Sequence, residues 1–391
     1  MKILYISSHA DTEGIIPNMQ QLGYQVESYK CSVNNTVIQD AEVSQLIHYI
    51  EKKNITHLFS VGFNYNIAIA AQETDRKYVC MVWDAPYLLL YSELAKNNHC
   101  FFSVFDKLDA ERFRKAGVSN ILYQPLAVDK YAIQKWEKSG YLTGSYREEI
   151  SFVGRLYEKN AYDMRIREFP EEIIPYFTSI MEEAAFKWDG INRIYGKVSN
   201  EILQYIQVRN PNFLLGNPFP ISDTYFFEVM FLARKLANIE RICILNLLAE
   251  SYDIGFYTDP NEMHYGLEHV RIMPPVMAGE ESARVFAGSK INLNISIKGI
   301  EGGTPQRVMD IMGAGGFALT NYAEETLELF EEGKEIVTYK SPEELLDKAC
   351  YYMRNDTLRE HIARAGQNKV LNEYTYDRKL KELFDWVDSG V

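Results

Sequence analysis

Residues 289–320 read SKINLNISIKGIEGGTPQRVMDIMGAGGFALT, and they predict a strand, a glycine loop, a helix and a second strand in succession. The apolar run Ile291–Ile295 has the length and β-branched character of a buried strand. Thr304 and Pro305 are a hydroxyl cap followed by proline at the first helical position. Gly315 and Gly316 end the helix. The stretch therefore predicts a parallel βαβ unit.

The loop and first helical turn of this unit have the chemistry of a phosphate site. Gly302 and Gly303 let another group approach the backbone closely, and the helix N-terminus after Thr304 offers N–H groups and a positive dipole end. Arg307 adds a full positive charge with two-pronged geometry. Asp310, three residues on, lies on the same face and can bind two ribose hydroxyls. The alternative is an ordinary crossover with a surface Arg–Asp pair, but the combination favours nucleotide binding.

The same stretch resembles the donor-binding signature of glycosyltransferases with the GT-B fold, in which two acidic residues bracket seven others ahead of a helix and a glycine. Asp310 matches the second acidic residue and Glu301 the first, with a spacing one residue longer. The variant GGTPQRVMDIMGAGGFALT, with its arginine, is closer to the spore-maturation (CgeB-like) glycosyltransferases of bacteria. The similarity covers roughly the last 140 residues well and the N-terminal half weakly.

The resemblance implies roles for these residues. The C-terminal domain would hold a nucleoside diphosphate sugar, and the N-terminal domain would hold the acceptor. Asp310 would bind the ribose, and Glu301 would contact sugar hydroxyls or stabilise a cationic sugar ring. Arg307 and the helix after Thr304 would stabilise the negative charge on the leaving diphosphate.

A second segment also resembles part of this family's donor site. The residues that follow a predicted strand, from Gly154 through Arg155 to Lys159, are similar to the Gly-Arg…Lys loop that neutralises the donor pyrophosphate. The alternative for either cation is a solvated loop. Lys298, beside the glycine loop, is a further candidate for this charge because the protein is acidic and must concentrate its positive charges locally.

Elsewhere, short apolar runs alternate with helical patterns, which predicts two Rossmann-like α/β domains. The resemblance implies that these domains face a cleft, as in the GT-B fold. A polar stretch with little hydrophobic periodicity predicts a linker between the two domains. A helical insertion is predicted within the second domain. The last helix has an apolar face and, by the resemblance, crosses back to the first domain. The predicted boundaries are 1–134 for the first domain, 135–149 for the linker, 150–373 for the second domain with its insertion at about 160–250, and 374–391 for the last helix.

The first domain has candidates for a catalytic acid or base where predicted strands end, because open α/β sheets bind ligands there. His9 and Glu13 follow the first strand, and Asp84 follows a later one. The alternatives are a solvent-facing loop histidine for His9 and a helix cap for Asp84. Asn64, in a similar place, is interpreted as a cap or turn residue.

Composition narrows the function classes. The net charge of −13 disfavours nucleic-acid binding as a main role. Five scattered cysteines without metal spacing favour a cytoplasmic protein with reduced thiols. The apolar run Met1–Ile6 is too short for a signal sequence. No segment has the length and hydrophobicity of a membrane-spanning helix. There is no Asp-x-Asp pair, with which metal-using glycosyltransferases commonly hold a cation, so no metal is expected. No cofactor is expected either, because a nucleoside diphosphate sugar would be a substrate.

The sequence therefore predicts a glycosyltransferase of the hexosyltransferase type that uses a nucleoside diphosphate sugar as donor. The acceptor, a glycan, protein or small molecule, and the oligomeric state are left open. Two alternatives remain. One is a nucleotide-sugar epimerase of the same fold, which needs no acceptor. The other is a sugar-nucleotide-binding scaffold without turnover, which the longer spacing between Glu301 and Asp310 keeps open.

Overall fold

A computed structural model of the chain describes residues 1–7, 14–31, 36–140, 142, 147–259 and 261–389. The chain divides into two compact units. The first, unit 1, consists of Met1–Lys135, Gly303–Met309 and Val370–Val391, and the second, unit 2, consists of Trp136–Gly302 and Asp310–Lys369. The description below takes each unit by itself.

Unit 1 contains a six-stranded parallel sheet. Its strands are short apolar runs, such as His57–Val61, in which four of the five residues are buried. The order across the sheet is β2-β1-β3-β4-β5-β6, and every neighbouring pair is parallel. In chain order, β1 to β6 are Lys2–Ser7, Gln25–Lys30, His57–Val61, Lys77–Val82, Cys100–Val104 and Ile121–Tyr123.

Unit 2 contains a second six-stranded parallel sheet. Its order is β12-β11-β10-β7-β8-β9, so the chain starts in the middle of the sheet, extends it to one edge and then returns to build the other. All five pairings are parallel. In chain order, β7 to β12 are Glu148–Val153, Ile254–Tyr257, Arg271–Met273, Ser289–Asn294, Ala318–Asn321 and Val337–Tyr339.

Sixteen α-helices lie in the described part of the chain. They are α1 to α16 in chain order: Ile15–Gln21, Asp40–Lys53, Tyr65–Glu73, Lys107–Lys115, Lys130–Lys138, Ala161–Arg165, Ile174–Ala184, Asn200–Arg209, Asp223–Phe227, Arg234–Ala249, Glu280–Ala287, Gln306–Gly313, Glu324–Leu329, Pro342–Arg354, Asp356–Glu373 and Tyr376–Asp388. None of them is long and apolar enough to cross a membrane.

Shorter helical segments complete the chain. Four are 3-10 turns, and one is a π-helix that joins α9 directly to α10. The 3-10 turns are Leu88–Tyr91, Glu93–Lys96, Ile166–Glu168 and Glu171–Ile173, and the π-helix is Glu228–Ala233.

The predicted helical insertion is confirmed. Between β7 and β8 the structure has helices α6 to α10 and no strand within residues 154–253. Within the insertion, helix α7 covers Ile174–Ala184, and Ala185 leaves the helical conformation with ψ 137°. Predicted helix caps also occur as expected. The Asn64 side chain accepts a hydrogen bond from the Asn66 N–H at 2.9 Å, and the Ser341 hydroxyl caps α14.

Two apolar clusters cover the two faces of the first sheet, and a third fills unit 2. The last helix, α16, belongs to one of the clusters in unit 1. Its predicted apolar residues are all at most 3% exposed and pack with Ile3 and Phe59 of the sheet. They are Tyr376, Leu380, Leu383, Phe384 and Val387.

The interpretation of Asp84 as a helix cap is wrong. The next helical turn begins at Leu88, and the residue at its N-cap is Tyr87. Pro86 explains the delay, because a proline disfavours helical geometry at the residue before it. Asp84 is exposed and lies directly after β4 and Trp83.

Candidate functional site

The helix predicted to carry the donor site is α12. It begins at Gln306 after Thr304 and Pro305, and the Val308 N–H bonds to the Pro305 carbonyl at 3.0 Å, so its first turn is tight. Four apolar residues fix this helix, each at most 1% exposed: Val308, Met309, Ile311 and Met312. Arg307 and Asp310 are half-buried and three residues apart on the same helix, as the sequence predicts.

The glycine loop before α12 has close neighbours on both sides of its two glycines. A Cβ atom on Gly302 would lie 2.8 Å from a carboxylate oxygen of Glu325. A Cβ atom on Gly303 would lie 2.8 Å from the Phe105 ring. A side chain at Gly303 would clash with the Phe105 ring, and one at Gly302 would require the Glu325 carboxylate to move.

The Gly303 N–H already has an anionic partner. It donates to Oδ2 of Asp106 at 3.0 Å, and Asp106 is 1% exposed. The other carboxylate oxygen of Asp106 caps α4 by accepting from the N–H groups of Leu108 and Asp109. This bond occupies an N–H group of the glycine loop and leaves untested the predicted phosphate site at the helix N-terminus after Thr304.

Asp106 is a residue that the sequence argument missed. The available signal was its position, because it follows β5 almost directly and precedes a helix, as Asp84 follows another strand. Carboxylates in such places are either caps or ligand-binding groups, and Asp106 caps a helix.

Glu301 is held by the helical insertion. Its Oε1 accepts a hydrogen bond from the Asn192 amide at 2.6 Å, and Asn192 Oδ1 accepts from the N–H groups of Ile194 and Tyr195. Both Glu301 and Lys298 line a small, open pocket in unit 2. Its other polar and aromatic walls include Trp188, Asn192, Arg193 and Tyr322.

Lys298 forms a buried ion pair at this pocket. Its ammonium lies 3.3 Å from a carboxylate oxygen of Glu240, which is fully buried, and 4.7 Å from the centre of the Trp188 ring. Burial lowers the pKa of Lys298, although Glu240 opposes this effect. Burial likewise raises the pKa of Glu240 against the attraction of Lys298. The positive charge of Lys298 is therefore largely balanced by the carboxylate of Glu240.

The loop after β7 presents the two other predicted cations. Arg155 and Lys159 are exposed, and both lie close enough to Asp259 to help lower its pKa, after the larger effect of its hydrogen bonds from Asn261. Gly154 precedes them, and a Cβ atom there would lie 3.2 Å from the Phe152 ring. The structure thus brings Arg155 and Lys159 together on one loop at the carboxyl end of a central strand.

Arg241 fixes this loop and is a second residue that the sequence argument missed. It is 9% exposed and donates to the carbonyls of Arg155 and Ile295. It therefore ties the loop after β7 to the end of β10. The signal in the sequence was the charged pair Glu240–Arg241 within the apolar helix α10, because charges are buried there only with partners.

The structure does not test the three candidates for a catalytic acid or base in the first domain. His9 and Glu13 lie outside the described residues. Asp84 lies after β4 in unit 1, on the surface. The assignment of a catalytic acid or base among these three residues stays a prediction, as do the roles of the donor-site residues.

Comparison with known proteins adds a family match. Residues 243–385, from α10 to α16, match a family model described as "Glycosyl transferase-like". The matched segment contains β10, the glycine loop and α12. No curated protein sequence matches the chain.

Solved structures resemble the whole chain at low sequence identity. A glycosyltransferase from Rickettsia africae ESF-5 is 11% identical with a TM-score of 0.56, over 99% of this chain and 98% of that one. Sucrose-phosphate synthase from Thermosynechococcus elongatus is 6% identical with a TM-score of 0.56, over 100% of both chains. T4 phage BGT, in complex with its UDP-glucose substrate, is 11% identical with a TM-score of 0.53, over 100% of this chain and 99% of that one.

Residues 243–385 are thus similar to a glycosyltransferase-like family, and the whole chain shares the fold of solved glycosyltransferases. The predicted fold class, α/β with two parallel sheets and the GT-B fold, is confirmed. Sugar transfer is the reaction that the match supports. The narrower resemblance to the CgeB-like proteins is not confirmed by these comparisons.

Proposed function

We propose that this protein transfers a sugar from a nucleoside diphosphate sugar to an acceptor. The observation that carries the proposal is the position of the segment 289–320. It lies inside the region that matches the glycosyltransferase-like family, and it forms the strand, glycine loop and helix that its sequence predicts. The UDP-glucose bound to T4 phage BGT, a protein of the same fold, supports a nucleotide-sugar donor and a hexosyl group.

The proposed reaction needs positive charge where the diphosphate leaves, because negative charge develops there in the transition state. Arg155 and Lys159 are suited to this role because both are exposed cations on one loop. Arg307 adds a charge in the first turn of α12. Lys298 is the least suited of the four cations, since Glu240 already pairs with it.

Two carboxylates would recognise the neutral parts of the donor. Asp310 lies one turn after Arg307 on α12, which suits a ribose whose phosphate contacts the start of the helix. Glu301 would contact the sugar, and its Oε1 is oriented by the Asn192 amide. In this proposal the insertion contributes to sugar recognition, because Asn192 belongs to it.

The test is release of the nucleotide. The full chain is incubated with UDP-, GDP- and dTDP-sugars with and without candidate acceptors, and the free nucleoside diphosphate and the remaining sugar nucleotide are measured. Acceptor-dependent release of nucleoside diphosphate is expected. Conversion of the donor to an isomer without release would instead identify an epimerase. Binding that raises the melting temperature without any turnover would identify a scaffold.

A further inference from the structure

Three side chains that can ligate a metal ion lie close together in unit 2, and none of them belongs to α12. Glu158 follows β7, and Glu262 and His264 follow the neighbouring parallel strand β8. One donor atom from each of the three side chains lies within 4.8 Å of the other two. We refer to these three residues as the Glu-Glu-His cluster.

The two carboxylates cross-link the two loops. Glu158 accepts hydrogen bonds from the N–H groups of Met263 and Tyr265, at 2.8 and 2.7 Å, on either side of His264. Glu262 accepts one from the Leu156 N–H at 3.2 Å. Each loop thus supplies a carboxylate to the backbone of the other. The arrangement brings two carboxylates close together, which favours a cation between them.

The imidazole of His264 is the unusual member of the cluster. Both ring nitrogens are buried, and neither has a hydrogen-bond partner among the residues that the structure describes. The ring is packed edge-on against Phe256, with 6.0 Å between the ring centroids. A buried ring nitrogen without a partner is costly. The two carboxylates make no hydrogen bond to this ring, although one ring nitrogen and one oxygen of each carboxylate lie within 4.8 Å of one another.

We propose that the Glu-Glu-His cluster binds one divalent transition-metal ion that joins the loop after β7 to the loop after β8. An ion in this space would offset both carboxylates and give an imidazole nitrogen a partner. In tetrahedral coordination, metal–ligand bonds of about 2.0–2.2 Å place the ligand atoms about 3.3–3.6 Å apart, so the three donor atoms would move about 1 Å closer together when the ion binds. One imidazole and two carboxylates favour zinc or a similar ion over magnesium or calcium, which prefer oxygen ligands alone.

The role of the ion is structural. Glu158 lies between Arg155 and Lys159, so an ion held by Glu158 would restrain the loop on which both cations are exposed. The proposal does not depend on sugar transfer, because the ligands and the two loops are present whatever reaction the protein catalyses.

The test is metal binding by the full chain, measured without any donor. The protein is stripped with a chelator, and zinc is titrated at pH 7.5 by calorimetry, with magnesium titrated in parallel. One zinc ion per chain, a raised melting temperature and little response to magnesium are expected. Absence of stoichiometric zinc binding by the parent protein would overturn the proposal, whatever the variants do.

Variants identify the ligands. Glu262→Gln and His264→Gln should each weaken zinc binding at least about tenfold and remove the zinc-dependent rise in melting temperature. Glu268→Gln and His269→Gln are matched controls, because both residues are exposed in the same loop, and they should bind zinc like the parent. Retained zinc binding in the Glu262→Gln/His264→Gln double variant would overturn the assignment.

X-ray absorption at the zinc edge gives an independent readout that does not depend on variants. The expected first shell contains nitrogen and oxygen only. Cys243 is an exposed thiol and the most accessible competing ligand. Sulfur in the shell would mean that the zinc is bound adventitiously at a cysteine, and the proposal would then fail. Because none of these measurements uses a sugar nucleotide, their failure would leave the proposed function untouched.

Discussion

The carboxylate of Asp106 binds the Gly303 N–H at 3.0 Å while it caps the helix that begins at Lys107. The two residues are 197 positions apart in the chain. One side chain therefore fixes both the start of α4 and the glycine loop that leads into α12. The position of this loop depends on Asp106 as well as on its own glycines.

Replacement of Asp106 by alanine should destabilise the protein by about 2–3 kcal/mol. Loss of a helix cap costs about 1 kcal/mol, and loss of a charge-assisted bond to the buried Gly303 N–H adds about 1.5 kcal/mol or more. The matched control is Asp129→Ala, because Asp129 Oδ1 caps α5 in the same way, through the N–H groups of Tyr131 and Ala132. Urea unfolding measures both. Equal losses for the two variants would show that the bond to Gly303 contributes little.

Arg307→Ala should weaken nucleotide binding about 10- to 150-fold, since a charge-assisted bond to phosphate contributes about 1.5–3 kcal/mol. Calorimetry with UDP, GDP and dTDP measures the effect. Arg354→Ala is the control, because Arg354 is an exposed arginine at the end of α14. Asp310→Asn should reduce nucleoside binding but spare pyrophosphate. If the parent binds a nucleotide and Arg307→Ala binds it equally well, the site is assigned wrongly.

The last helix should be essential for stability. Leu383→Ala should cost about 2–5 kcal/mol, because Leu383 is fully buried against the first sheet and its removal leaves a cavity. Lys381→Ala, on the exposed face of α16, should cost less than about 0.5 kcal/mol. Deletion of residues 374–391 should lower the melting temperature. An unchanged melting temperature after this deletion would refute the structural role of the helix.

The stability of unit 1 should decrease below about pH 6.5 because of His57. Burial lowers the pKa of His57, although Asp388 opposes this effect and Lys77 adds to it. The unfolded chain then binds a proton, near pH 6.5, before the folded protein does, so acidification favours unfolding. The free energy of unfolding should fall by at most about 1.4 kcal/mol per pH unit from this group, until the pH passes the folded-state pKa.

The measurement is urea unfolding at several pH values for the parent and for His57→Gln. The slope between pH 7.5 and 5.5 should be smaller in the variant, whereas His361→Gln, at an exposed histidine, should keep the slope of the parent. If the free energy of unfolding of His57→Gln changes with pH as steeply as that of the parent, His57 is not the group responsible for this pH dependence.

Donor turnover should continue in excess EDTA. The positive charge for the leaving diphosphate is assigned to protein groups, namely Arg155, Lys159, Arg307 and the start of α12. Removal of an ion from the Glu-Glu-His cluster should lower the melting temperature and leave the reaction in place. Turnover is measured with the matching acceptor, in EDTA and after addition of magnesium or manganese. Activity that disappears with EDTA and returns with either metal would contradict this assignment of charge.

The sequence by itself determined the elements and their class. The alternation of apolar runs and helical patterns predicted two parallel sheets with a helical insertion, and Asn64 was correctly interpreted as a helix cap. These features follow from interactions between residues a few positions apart, which a single sequence displays directly. The strand, glycine loop and helix from Ser289 to Thr320 were predictable for the same reason.

Only the tertiary structure decided which groups meet. It placed Asp106 on Gly303, committed Lys298 to Glu240, and brought Glu158 close to Glu262 and His264 from a neighbouring strand. Strand order is the physical reason. β7 pairs with β8 and β10, although about 100 residues separate it from the first and more from the second. Residues at or after the ends of paired strands become neighbours because the strands lie side by side in the sheet. Local sequence patterns do not show which strands pair.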